Sequence, residues 1–285
     1  MQTSSEPSTH IQSERYWLIS WLILPLICLW FAISYLVGEI NLPQWYNPTV
    51  TNNQGMVQNI TNWQWDGEGV VTLWFDDGHI SQYTTAAPLL TSMNTLGSLA
   101  VTTRAVDTPG YMNWNQVRGL HNQGWDVHAH TRTHHCSLDQ AEEATVIDEI
   151  IGSKEDMTKK NLPALDFVTP CGVENDYIKN LVKENFRSLR TSYPGDNQLP
   201  LLDPYAIKAY ALRNYNTVEE VKEWVNQAIN NKSWVVLMFH QVDSSGTEYS
   251  VSTQDFKSMM KIVSDSGVQV VPANRIIEYS LKAKQ

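Results

Sequence analysis

The chain has 285 residues, 42% hydrophobic and 18% charged, with eleven tryptophans, a composition that supports one large or two modest folded domains and excludes a disordered polypeptide. Thirty acidic against twenty basic residues leave a formal net charge of −10, a field that repels a phosphate backbone and argues against a nucleic-acid partner. The three cysteines, at 28, 136 and 171, are too few for a disulfide framework and lack zinc-finger spacing.

Residues 17–38 (WLISWLILPLICLWFAISYLVG) run 22 positions without a charged side chain. As a helix they cover roughly 33 Å, against roughly 30 Å for the hydrocarbon core of a bilayer. Trp17, Trp21 and Tyr35 stand near the ends, where aromatic rings favour the membrane interface. A signal peptide has an apolar stretch of only about 7–15 residues and a small-residue cleavage site, and none follows Gly38. The segment therefore reads as an uncleaved transmembrane anchor in the lipid bilayer. Arg15 precedes it and no further Lys or Arg occurs until Arg104, so residues 1–16 are expected as a short cytoplasmic tail and the remainder as extracytoplasmic. Residues 39–66, with Pro43, Pro48, Gly55 and many Asn and Gln, read as a polar linker, and 67–285 as the folded domain.

From Gly67 onward, short β-branched runs alternate with amphipathic stretches. Strands are expected at 70–75, 98–103, 125–130, 166–169, 188–192, 207–212, 234–239 and 268–271. Helices are expected near 82–96, 113–123, 138–159, 174–185, 217–230 and 253–266. Gly97, Gly124 and Gly267 stand between helix and strand, where helix C-caps belong. Seven or eight such units fit a closed β/α barrel or an open doubly wound sheet. In both, ligands meet the carboxyl ends of the strands.

Four strand ends carry chemistry. The first run closes in Asp76-Asp77-Gly78, and two adjacent carboxylates invite a cation or a general-base role; a solvated turn with an Asp capping the next helix is the plain alternative. After the third strand, Asp126-Val127-His128-Ala129-His130-Thr131-Arg132-Thr133-His134-His135 packs four of the eight histidines. His130 and His134 face one point if the chain turns after the strand. Strand alternation also puts Asp126, His128 and His130 on one face, so His128 competes as a ligand. The fourth strand ends in Thr169-Pro170-Cys171-Gly172, a turn that exposes backbone N–H groups able to stabilise an oxyanion. The run Trp234–Phe239 ends at His240, whose imidazole could donate a proton to a leaving amine, with Asp243 three residues on.

Taken together, these motifs resemble the polysaccharide deacetylases of carbohydrate esterase family four. Phe75-Asp76-Asp77-Gly78 is similar to that family's first motif, His130-Thr131-Arg132-Thr133-His134 to its HTxxH motif and Leu237-Met238-Phe239-His240 to its late LxH motif. Gly110–Trp114, Asp148–Lys154 and Asp203–Tyr205 are also similar, and the resemblance covers about residues 68–275. It implies an α/β fold, a distorted (β/α)7-8 barrel, here preceded by the N-terminal transmembrane helix. It implies one divalent ion, usually Zn2+, with Co2+ or Mn2+ as options, held by Asp77, His130 and His134. Asp76 would then be the base for an ion-bound water, the Cys171 backbone N–H the oxyanion donor and His240 the acid. The substrate would be an N-acetylated polysaccharide.

Two departures stand out. Many members carry an arginine and an aromatic in the third motif, where this chain has Val168 and Cys171, so Asp76 needs another orienting partner, Arg190 or Arg213. The family's aspartate-tryptophan motif is not evident, and Asp243 is the substitute partner for His240. Cys136 and Cys171 both follow strands expected to be neighbours; a disulfide is one reading, and two free thiols are the expectation. Asn59-Ile60-Thr61 and Asn231-Lys232-Ser233 fit a glycosylation sequon. Competing readings are a hydrolase of another C–N bond and an inactive, membrane-tethered glycan-binding module.

Overall fold

The computed structural model describes residues 63–284. The apolar stretch 17–38, the tail before it and the linker up to residue 62 lie outside the described residues, and among those described no helix is long and apolar enough to cross a membrane. The chain divides into two units, Met1–Val50 and Thr51–Gln285, and all described residues fall in the second.

Strands are β1 (Val70–Phe75), β2 (Ser98–Val101), β3 (Asp126–Ala129), β4 (Phe167–Val168), β5 (Leu189–Arg190), β6 (Tyr210–Ala211), β7 (Trp234–Phe239), β8 (Gln241–Val242), β9 (Ser250–Val251) and β10 (Gln269–Val270). Helices are α1 (Ala87–Ser92), α2 (Trp114–Asn122), α3 (Glu143–Lys159), α4 (Asp176–Asn185), α5 (Val218–Asn231), α6 (Thr253–Asp265) and α7 (Ala273–Lys282). A π-helical turn, Gln82–Ala86, leads into α1. Their starts follow local capping chemistry: Asn113 with Gln116 at α2 and Thr217 with Glu220 at α5 form reciprocal boxes, each satisfying two N–H groups with no partner inside the helix.

The parallel strands run in the order β5-β4-β3-β2-β1-β7-β6. β10 pairs the start of β1 (Val70↔Gln269) and β2 pairs its end (Trp74↔Ser98), so the two share one edge. Between β5 and β6 the pairing shrinks to one bridge, Arg190↔Ile207, in which Thr191 N donates to Ile207 O at 2.8 Å. The segment carrying Ile207 continues into β6, which pairs β7. The parallel α/β half-barrel thus meets itself through one weak seam, which is where its distortion lies.

Period-2 alternation sorts the side chains into two cores. Val71, Leu73 and Phe75 of β1 and Val235, Leu237 and Phe239 of β7 pack outward with helical residues such as Leu90, Val225 and Phe256. Val70 and Trp74, with Trp234, Val236 and Met238, fill the interior, closed off by Ala273, Ile276 and Ile277 of α7. α7 was not among the expected helices, although Ile276, Ile277 and Ser280 give it a buried stripe. Its first N–H groups are satisfied by barrel side chains: Ala273 N donates to Ser98 Oγ at 2.9 Å and Asn274 N to Asp126 Oδ2 at 2.7 Å.

Gly124 and Gly267 have φ of +105° and +72°, as helix-ending glycines should. Gly97 is a correction. The left-handed residue after α1 is Asn94 at φ 51°, and Gly97 is needed for space: a Cβ there would stand 2.5 Å from the Trp125 ring. Residues 63–66, counted in the expected linker, already pack on the domain. Trp63 Nε1 donates to Gln269 Oε1 at 2.8 Å, and the Trp63 ring meets Tyr279 edge-on at 5.9 Å.

Candidate active site

The inner positions of β1, β3 and β7 continue past the strand ends to Asp76, His130 and His240, so strand alternation itself delivers these three side chains to one mouth. Asp77 follows at φ 74°, a left-handed conformation that turns its carboxylate out of the strand series. Its Oδ1 lies 3.4 Å from His130 Nε2 and 3.4 Å from His134 Nε2. Three atoms held tetrahedrally about 2.1 Å from a zinc-sized ion stand about 3.4 Å apart. Asp77 Oδ1 is buried and has no hydrogen-bond partner, the state of a carboxylate oxygen made to face a cation. The donor set fits a divalent ion, and the three residues expected from the sequence to hold one come together.

The loop carrying the second histidine is bent and braced. Thr131 and His134 have φ of 59° and 61°, and His134 N donates to Thr131 Oγ1 at 3.0 Å. The buried Glu149 of α3 accepts from Arg132 N at 2.9 Å, Thr133 N at 2.8 Å and Thr133 Oγ1 at 2.6 Å. Arg132 reaches Asp156 Oδ2 at 2.8 Å and also contacts Asp148. Gly152 leaves room for that guanidinium, which any Cβ would strike. Glu149 and Arg132 were missed as supporting residues; a glutamate on the apolar stripe of a helix was the available signal. His79 was also missed: its Nε2 lies 3.2 Å from Asp77 Oδ2 and its ring stacks on Tyr111 at 4.7 Å.

Asp76 has its arginine, supplied by β5. Arg190 Nη2 lies 2.5 Å from each Asp76 oxygen, and the guanidinium covers Trp74, 5.3 Å from the ring centroid. Arg213, the other candidate, sits at the rim with Tyr215 and Glu248. Gln82 donates to the backbone oxygens of both Asp76 and His240, joining the ends of β1 and β7.

Three expectations are corrected. His128 does not join the ligands: it lies deeper in the barrel, with Nε2 2.8 Å from Asp126 Oδ2 and its ring on Trp74 at 4.5 Å. Asp126 serves that histidine and caps α7 instead of binding an ion. Asp243 does not partner His240, since its Oδ1 accepts from Ser245 N, while His240 Nδ1 has no partner and its ring lies against Tyr249 at 4.9 Å. Finally, Cys136 and Cys171 are joined in a disulfide where free thiols were expected.

Electrostatics follow burial and charge. Burial pushes the Asp77 carboxyl up, but the His130 and His79 imidazoles beside it, with the nearby imidazole charge, outweigh it and hold it well below the ordinary value of 3.8. For His130 burial pulls down, yet the adjacent Asp77 carboxylate and the charge of Asp76 carry it above 6.5. His134 falls below 6.5, by burial and then by the His130 charge. Burial likewise lowers His240 against the pull of Asp76 and Asp77.

Fold and site together bring a carboxylate and two imidazoles to one point, with a second carboxylate and a third imidazole beside them. Residues 65–186 match the family model described as Polysaccharide deacetylase. A crystal structure of a putative polysaccharide deacetylase from Mycobacterium smegmatis is similar, with 15% identity over 77% of this chain and 92% of that one, at TM-score 0.56. So is the Xyl-CE4 domain of a multidomain xylanase from the hindgut metagenome of Trinervitermes trinervoides, with 13% identity over 74% and 90%, at TM-score 0.55. The Bc1960 peptidoglycan N-acetylglucosamine deacetylase is also similar, with 16% identity over 74% and 88%, at TM-score 0.51. At such identities these likenesses establish the fold. No curated protein matches the chain in sequence.

Proposed function

We propose that the protein is a divalent-ion-dependent deacetylase that hydrolyses the acetamide of N-acetylated sugars in a polysaccharide. The observation that carries this reading is the unpartnered, buried Asp77 Oδ1 set 3.4 Å from both His130 Nε2 and His134 Nε2. Asp77, His130 and His134 would hold the ion, with Zn2+ the first choice for two imidazoles and a carboxylate. When bound, the ion would acidify water and polarise the acetamide carbonyl.

The remaining residues divide the proton and charge work. Asp76, fixed by Arg190, accepts the proton of the attacking water. The backbone N–H of Cys171 supports the charge that develops on the carbonyl oxygen, a donor role worth roughly 3–4 kcal/mol in a transition state. His240 delivers a proton to the departing sugar nitrogen. Water adds across the amide, leaving acetate and a free amine. The apolar segment 17–38 and the Arg15 flank support a single-pass, membrane-tethered enzyme whose catalytic domain is extracytoplasmic, which favours a cell-envelope glycan such as peptidoglycan.

The test is acetate release from a panel containing peptidoglycan, chitin oligomers, an N-acetylated exopolysaccharide and acetylated xylan, with metal content measured on the same sample. Acetate from an N-acetylated glycan, abolished by a chelator and restored by Zn2+, is the expected result. Release from acetylated xylan alone would make the protein an O-deacetylase and sink the proposed reaction.

A further inference from the structure

We infer that the Cys136–Cys171 disulfide is a working part of the ion-binding centre, holding His134 and the turn at Cys171 in register, and that opening it weakens the centre. The inference rests on the ion-binding reading above. The bond joins the loop after β3 to the turn after β4 across 35 positions of sequence. Those two strands share a single register pair, Ala129↔Phe167, so strand pairing stops where their functional loops begin. The covalent link takes over there.

What it joins are two of the left-handed pieces of backbone at the site. His134 has φ 61° and Cys171 φ 52°, left-handed conformations that a side-chain-bearing residue keeps only when its surroundings impose them. The two ligand imidazoles are also held differently. His130 is buried, and its far nitrogen, Nδ1, lies 2.9 Å from Val168 O. The His134 side chain is 31% exposed, and its Nδ1 lies 3.6 Å from Cys136 Sγ. The partner of a ligand's second nitrogen sets ring orientation and commonly carries 10- to 100-fold in ion affinity. For His134 that partner is a disulfide sulfur.

Both cysteines are exposed, so a reductant reaches them. A phosphine attacks one sulfur and breaks the S–S bond; water then converts the phosphorus to its oxide, and both sulfurs leave as thiols with two electrons and two protons gained. The freed sulfurs and His134 lie within 4.8 Å of one another and would take up zinc themselves, so affinity is read on variants lacking sulfur.

The experiment uses the full chain: Zn2+ affinity by chelator competition for wild type, C136A/C171A and C136S/C171S, with circular dichroism as the check on folding. Folded double variants should bind Zn2+ about 10- to 100-fold more weakly. Wild-type affinity in a folded double variant overturns the inference, as do free thiols at both Cys136 and Cys171 in the unreduced native protein. Should neither variant fold, amide exchange of the wild type before and after phosphine treatment decides. Faster exchange at 131–136 and 171–173 supports the inference, and unchanged exchange overturns it. A wild type that binds no divalent ion defeats the proposed function instead, and amide exchange still judges the brace.

Discussion

Arg190 reaches across the barrel from β5 to Asp76 at the end of β1, a separation of 114 positions in sequence closed to 2.5 Å between Nη2 and the carboxylate. Both side chains are almost wholly buried, at 1% and 4% exposure, so the pair is shielded from water while Asp76 keeps its aim.

Removing one member of a buried pair strands the other, at a cost of about 3–5 kcal/mol. Arg190→Ala should therefore lower the urea midpoint strongly and cut turnover, whereas Asp76→Asn should keep the bound ion and stop acetate release. Urea titration and metal analysis separate the two. Normal turnover in Asp76→Asn removes it as the base.

Asp77→Ala and His130→Ala should lose ion and activity together, because three ligands are the minimum that leaves an open position on a four-coordinate ion. Metal content after dialysis is the readout. Full occupancy in either variant would place the ion elsewhere.

Ion binding should release about one proton below the raised His130 value. In the ion-free protein the carboxylates of Asp77 and Asp76 hold His130 above its ordinary 6.5 against the effect of burial, while Asp77 and His134 lie below their ordinary values, so His130 is the last of the three to lose its proton. The ion displaces the His130 proton. Apparent affinity should therefore fall about tenfold per pH unit below the raised His130 value and level off above it. Calorimetry in buffers of different ionisation heat counts the protons; a count of zero contradicts the arrangement.

His240→Ala should retain the ion and lose about 10²- to 10⁴-fold in turnover, the usual contribution of a positioned proton donor. Acetate release under saturating Zn2+ measures it. A loss of ion instead would make His240 a ligand.

Gly97→Ala should destabilise by about 1–3 kcal/mol through overpacking, since the new methyl group would meet the Trp125 ring at 2.5 Å. Thermal unfolding checks this, and an unchanged Tm would mean the indole moves aside freely.

Much of the fold was written locally. The β-branched runs at 70–75 and 234–239 match β1 and β7 residue for residue, because parallel strands buried on both faces need continuous apolar sequence. Period-2 alternation also brought Asp76, His130 and His240 to the same mouth, and motif order brought Asp77 and His134 with them. Alternation could say that His128 shares a face with His130, but not how deep along the barrel each one sits. That depth is a tertiary quantity, and it assigns His128 to Asp126 and His130 to Asp77. The choice of Arg190 over Arg213, the isolation of His240 from Asp243, the support of Asp77 by His79 and the closure of Cys136 on Cys171 were decided the same way. Each joins side chains from different turns or strands, and sequence separation carries no distance until the barrel has closed and burial has removed water as the competing partner.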